Sequence, residues 1–238
     1  SGGTPIPVPV LEQVKRQFGA DPVIGFGMTE ASPMVTGTPA SGSFELKSAT
    51  VGKPMAHVSV QIVDVNNQPV ALGQVGELLV KGFGVMKGYY RMPEKTTEAI
   101  DADGWLHSGD LATMDAAGYI RIAGRIKDMI IRGGENVYPA EVESFLMRHP
   151  AIKQAQIVGI PDPYMGEEAA AFIQTREGHT LSAAEVEAYC RANIGRHKLP
   201  KYIRFVDTYP LTPSGKVKKF DLRDQLVAAL KEEESHLA

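Results

Sequence analysis

GRIKDMIIRGGENVYPAEVE, residues 124 to 143, decides how this chain divides. Gly124 and Arg125 lead into a charged pair, Lys127 and Asp128. Three apolar residues follow (Met129, Ile130, Ile131), then Arg132, the glycines Gly133 and Gly134, and a helix opening at Pro139. Proline suits a first helical turn, where its missing N–H would have had no partner. Glu141 and Glu143 suit the positive end of the helix dipole. A charged joint, a bare-backbone loop and a new folding unit thus stand together. The boundary is placed here, with residues 1–126 on one side and 127–238 on the other.

On the C-terminal side the spacing predicts helix (Pro139 to Met147), strand (Ala155 to Ile160), strand (Ala169 to Thr175), helix (Ser182 to Ile194), strand (Ile203 to Val206) and helix (Phe220 to Leu230). That alternation indicates a compact α+β or α/β unit. Leu222, Leu226 and Leu230 form a helix stripe facing its core, and the tail KEEESHLA reads as frayed. On the N-terminal side, Leu11 to Phe18 reads as a short helix with Leu11, Val14 and Phe18 on one face. Val23-Ile24 reads as a buried strand and residues 37–50 as a loop. From Val51 to Ile122 the signals are β-like, with Val58, Val60 and Ile62 alternating with polar neighbours. Glu77 to Lys81 is a second strand, and one helix lies near Pro93 to Ile100. This stretch predicts a small barrel or distorted sheet.

The totals exclude several classes. The chain has 238 residues, 25 basic and 28 acidic, for a net charge of −3, so no basic field argues for nucleic acid. No apolar run is long enough to span a bilayer. The lone cysteine, Cys190, excludes an internal disulfide, fits a reducing compartment such as the cytoplasm, and reads as a core residue in its helix. No spacing of His and Cys resembles a zinc site.

Three strings carry chemistry. In GFGMTEASP (Gly25 to Pro33), glycines let backbone approach a flat ligand, Phe26 suits stacking on a base, Thr29 suits phosphate and Glu30 suits Mg²⁺. A tight turn with a solvated Glu is the plainer reading. In DGWLHSGDLA (Asp103 to Ala112), Asp110 follows a glycine at an expected loop–strand junction. A carboxylate there can accept both hydroxyls of a ribose, or simply close a turn, while Trp105 and His107 pack or cap. In PLTPSGKVKKFDLR (Pro210 to Arg223), Lys216 follows a turn and precedes a helix, a place for an ammonium that meets phosphate or for an ordinary surface lysine. Val217 after Lys216 rules out a Walker loop, and the late Gly88 rules out a dinucleotide fingerprint at Gly82.

Taken in order, SGGTP (Ser1 to Pro5), GFGMTE, GELLVKGFGVMKGYY (Gly76 to Tyr90), DGWLHSGDLA, the 124–143 run and PLTPSGK resemble the adenylate-forming superfamily of acyl-CoA synthetases, adenylation domains and luciferases. The strings cover essentially the whole chain. The wording of the central run is similar to acyl-CoA synthetases, with a fatty acid of medium chain or longer as the implied substrate.

The resemblance implies the remaining roles. Gly3, Thr4 and Pro5, with Gly25, Phe26, Gly27 and Met28 opposite, enclose the adenine of ATP. Thr29 contacts phosphate and Glu30 the Mg²⁺, and Asp110 and Arg125 hold the ribose. Lys216 bridges the carboxylate substrate and the α-phosphate. Lys127 is the hinge of a mobile C-terminal domain, and Gly133 and Gly134 line the pantetheine channel of CoA. Residues 1–50 are then an adenine strand region and 51–126 a barrel-like subdomain of the large AMP-binding domain. Family members also carry a phosphate loop ending in Pro-Lys-Gly, which is absent from this sequence. The chain is therefore expected to be a distal fragment, inactive alone, with apolar surface around Leu11 to Ile24 exposed or paired with another copy. Loading a carrier protein instead of CoA, or acting as a non-catalytic docking module, are the alternatives. No nucleic acid and no integral membrane association is expected.

Overall fold

In the computed structural model, residues 2, 3, 6, 8–213 and 215–237 are described, the last four by backbone only. The helix that opens at Pro139 (α4, Pro139–Leu146) belongs to a unit beginning at Lys127; the first unit ends at Ile126. The two are described separately.

In the first unit, α1 (Val8–Phe18) precedes a three-stranded antiparallel sheet of β1 (Gly25–Gly27), β2 (Met34–Gly37) and β3 (Lys53–Pro54), with α2 (Phe44–Ala49) between β2 and β3. Leu11 is buried, but Phe18, expected on the same face, is 75% exposed. The expected strand at Val23-Ile24 begins instead at Gly25. Both polar groups of Ile24 are held by Thr38, its N–H by the hydroxyl and its carbonyl by the backbone N–H. A side chain thereby replaces a ladder partner. Within the expected loop 37–50, α2 is started by Ser43, whose hydroxyl accepts from the Leu46 N–H. It carries Lys47, whose ammonium is buried and donates to Asp21 (2.6 Å) and to the carbonyl of Ala40 (2.5 Å).

A four-stranded antiparallel meander follows: β4 (Val58–Val63), β5 (Gly76–Gly82), β6 (Leu106–Met114) and β7 (Ile120–Arg125), with α3 (Pro93–Ala99) between β5 and β6. It stays open: β4 and β7 do not pair, so the distorted sheet rather than a closed barrel is formed. One face buries Ile62, Leu78, Val80, Leu106, Ala112 and Ile120 together with Val35 of β2. The alternation along β4 and β5 is what puts these residues on one side.

The second unit holds a five-stranded sheet around β11 (Gly166–Thr175). β10 (Ile152–Asp162) pairs antiparallel along one edge. β12 (Tyr202–Phe205), parallel, and β8 (Ile130–Arg132) also pair with β11, and β9 (Glu135–Val137) completes a hairpin with β8. Helices cover both faces. α4 and α5 (Ala183–Asn193) bring Val142, Leu146, Val186 and Cys190 onto Ala155, Ile157, Ala169, Ala171 and Ile173. On the other face α6 (Lys219–Leu237) brings Leu222 and Leu226 onto Val158, Ile160, Ala170 and Phe172. Burial on both faces explains why β11 reads as an unbroken apolar run, Ala169 to Ile173. The helical backbone of α6 continues through the tail expected to fray, as far as Leu237.

Candidate active site

The string Gly25 to Glu30 makes β1 and then a 3-10 turn, Thr29–Ala31. Its glycines are crowded by the protein itself, Gly27 by backbone and Gly25 by a side chain. A Cβ on Gly27 would stand 1.6 Å from the Pro33 carbonyl oxygen, and one on Gly25 would meet the Met34 methyl at 2.4 Å. Gly2 bridges Gly25 in parallel, so Gly3 follows directly on the flank of β1, while Thr4 and Pro5 lie outside the described residues. Phe26 and Met28 pack against the core of the first unit. Thr29 is exposed. Glu30 is half-buried, and one of its oxygens accepts from the Tyr89 hydroxyl at 2.9 Å. That bond, with some burial, raises the phenol above its ordinary pKa.

Asp110 and Arg125 are brought together. They are register partners across β6 and β7, and the Arg125 Nε donates to Asp110 Oδ1 at 3.2 Å. Asp110 is not at a loop–strand junction as expected but inside β6, between two ladder irregularities. On the β5 side, Leu79 pairs with His107 and Glu77 with Leu111, so Leu78 alone faces Ser108, Gly109 and Asp110. On the β7 side, Leu111 pairs with Gly124 and Ala112 with Ile122, leaving Ala123 over. Bulges of this kind re-aim side chains next to sites. The Asp110 side chain keeps 11% of its exposure and Arg125 47%, so the pair opens to solvent from the guanidinium side.

Glu77 was not among the expected site residues. Its Oε1 accepts from the Gly109 N–H (3.0 Å) and its Oε2 meets His107 Nδ1 (2.9 Å). His107, expected to pack or cap, instead meets the Glu77 carboxylate through Nδ1. Glu77, His107, Ser108, Gly109 and Tyr89 line one cleft of about 600 Å³ beside α3.

Lys127 is exposed in the 3-10 turn Ile126–Asp128, where the first unit ends and the second begins. Gly133 and Gly134 are the two central residues of the β8–β9 hairpin, with φ of 58° and 84°. A two-residue turn with both φ positive suits the twist of its strands and selects glycine. Gly133 N–H also donates to the Met165 carbonyl (2.8 Å), whereas a Cβ on Gly134 would meet nothing within 4 Å. Beside this hairpin Arg132 is fixed: its guanidinium donates twice to the buried Glu168 and to the carbonyl of Arg196.

Lys216 sits on a tight turn closed by Leu211 and Val217. Its N–H donates to Thr212 Oγ1 (3.0 Å) and its carbonyl accepts from the Thr212 N–H (2.7 Å). The backbone is pinned while the side chain is exposed, and among the described residues none holds its ammonium.

For Mg²⁺ the fit rests on Glu30. Mg²⁺ keeps several waters and needs only one or two protein carboxylates beside substrate phosphates, so one oriented carboxylate suffices. Among the described residues no cluster of three or more His, Cys, Asp or Glu side chains forms a closed metal site. No helix among them is long and apolar enough to cross a membrane.

Comparison with known proteins gives concordant findings. Residues 1–90 match the AMP-binding enzyme family and residues 141–216 its C-terminal domain. The Bacillus subtilis (strain 168) protein YngI is 48% identical over 227 residues, which are 94% of this chain and 41% of YngI. The mouse mitochondrial medium-chain acyl-CoA ligase ACSF2 is 43% identical over 96% of this chain and 38% of its own length. ATP-bound MatB from Rhodopseudomonas palustris superposes with a TM-score of 0.90 at 34% identity, over 95% of this chain and 45% of MatB. The chain thus spans about two fifths of the curated relatives it matches.

Proposed function

Since the chain belongs to the AMP-binding enzyme family, we propose that it is the distal part of an ATP-dependent acid–CoA ligase acting on fatty acids of medium chain or longer. In the first half-reaction a carboxylate oxygen attacks the α-phosphorus of ATP and pyrophosphate leaves. In the second the CoA thiol attacks the acyl carbonyl and AMP leaves. The first step needs positioning and positive charge rather than a protein nucleophile. Asp110, oriented by Arg125, receives the ribose hydroxyls. The strand Gly25 to Met28, with Gly3, Thr4 and Pro5, borders the adenine. Thr29 binds phosphate, and Glu30 would hold Mg²⁺, which would supply charge neutralisation at the phosphates. Lys216 brings the remaining cation to the reacting carboxylate and phosphate.

The observation that best supports this reading is the Asp110–Arg125 pair, a β6–β7 register pair set beside two bulges and left open to solvent on one side. The exposed ammonium of Lys216 on a pinned turn is consistent with it. For the second step, Lys127 is the hinge and Gly133–Gly134 borders the pantetheine arm, because the open side of Gly134 leaves room for a narrow thiol chain. The fatty-acyl assignment draws on the name of the ACSF2 relative and on the wording of the central run. A cytoplasmic location, drawn from the single cysteine, belongs to the same proposal.

The test uses the intact enzyme containing this chain, with Lys216→Ala beside wild type. CoA thioester formation is followed from free acid plus ATP and from preformed acyl-adenylate. Loss of the first by several orders of magnitude with the second retained is the expected result. Survival of both overturns the role of Lys216 and with it the proposed site. The 238-residue chain alone, which carries no Pro-Lys-Gly phosphate loop, is expected to give no ATP–pyrophosphate exchange.

A further inference from the structure

We infer that Glu77 is a positioning residue for nucleotide binding: it holds the backbone turn that carries Asp110 and thereby sets where that carboxylate meets the ribose. The inference rests on the nucleotide reading of Asp110 above.

The argument starts from the ladder. Between the Leu79–His107 and Glu77–Leu111 pairs, a single β5 residue faces three of β6. Three residues in the length of one must bow away from β5, and their backbone groups lose partners on that side. A half-buried N–H without a partner is costly, so each needs a substitute. Gly109, with φ 70° in the left-handed region, directs its N–H at Glu77 Oε1. The next N–H, of Asp110, is taken by Ser108 Oγ at 3.1 Å. Both substitutes are side chains, and of the two only Glu77 comes from outside the turn. Its second oxygen is tied to His107 Nδ1, the last β6 residue still in register before the bulge.

The Glu77 carboxylate thus spans the turn from its entry to its middle, with only 17% of its side chain exposed. It anchors the turn from the β5 side while Arg125 holds the Asp110 carboxylate from the β7 side. A carboxylate that only solubilised the sheet surface would not commit both oxygens to neighbours of one functional residue.

Two readouts in the intact enzyme test this. In Glu77→Ala the KM for ATP in ATP–pyrophosphate exchange is expected to rise roughly tenfold, the scale of a lost hydrogen bond to a charged group. The KM for the acid should stay near wild type. Hydrogen exchange at the peptide spanning Gly109 should quicken. Glu77→Gln, whose carbonyl still accepts from Gly109, should recover most of the ATP affinity. An unchanged KM for ATP with unchanged exchange overturns the inference. So does an equal rise in the KM values for ATP and acid together with a lowered melting temperature, which would mark general loosening. If Glu77→Ala does not fold, Glu77→Asp, too short to reach both His107 and Gly109, takes its place with the same criteria. A wild-type enzyme without ATP–pyrophosphate exchange would remove the nucleotide reading and this inference together. An active wild type with an indifferent Glu77 variant would remove this inference alone.

Discussion

Gly27 and Gly134 are glycines for different reasons, and substitution separates them. Alanine at 134 meets no atom and pays only for a left-handed torsion, about 1–2 kcal/mol. Alanine at 27 must displace the Pro33 carbonyl and part β1 from β2, so its loss should be clearly larger. Urea midpoints of the two variants of the intact protein check the order. At Arg132, substitution by Met would leave Glu168, 4% exposed, without its guanidinium; a buried carboxylate stranded in this way costs about 3–5 kcal/mol. The matching loss for a double variant that also converts Glu168 to Gln should be smaller. Asp110, Arg125 and Lys216 could be named as candidates from the sequence because each stands in a string with a recognisable order. Glu77, Tyr89 and Glu168 could not. Their partners lie 30 or more residues away, and only strand pairing brings them into reach.

Elements with a period or a cap were legible. α5 is the clearest case: Ser182 accepts from the Glu185 N–H while Glu185 returns a bond to the Ser182 N–H, a reciprocal pair visible as S-x-x-E. Ser182→Ala should cost about 1 kcal/mol, read from the thermal midpoint. α2 was not legible, since six residues give no period and its one signal, Ser43, sits among other turn formers. The bulges around Asp110 also left no trace in the alternation of β6, because extra residues in a strand are defined by the partner they fail to meet. Within α5, burial pushes the Cys190 thiol up to about 11. The native protein should therefore resist thiol reagents at neutral pH and react only when urea opens the helix from its sheet. Rapid modification of the folded state would contradict the packing described.

At the scale of the whole molecule, the division into two units and the α/β character of the second follow from the order of strings and periods. The open form of the β4–β7 sheet depends on which strands pair, which no local pattern states. The second unit also has an acid-sensitive joint. Lys201 and the N–H groups of Met165 and Tyr164 hold the Asp162 carboxyl at about 2, below its ordinary 3.8. A folded-state pKa below the unfolded one stabilises the native state above pH 4, and that contribution disappears as pH falls towards 2. The gap in urea midpoint between wild type and Asp162→Asn should therefore narrow across that window and stay constant above it. The layering of this unit reaches further, into how the chain is made. β10 and β11 leave the ribosome well before α6. Until α6 emerges, Val158, Ile160, Ala170 and Phe172 remain wetted on a finished strand pair. A nascent chain stalled between Thr175 and Lys219 would therefore present an apolar sheet face to solvent, the kind of surface that chaperones bind and proteases clear.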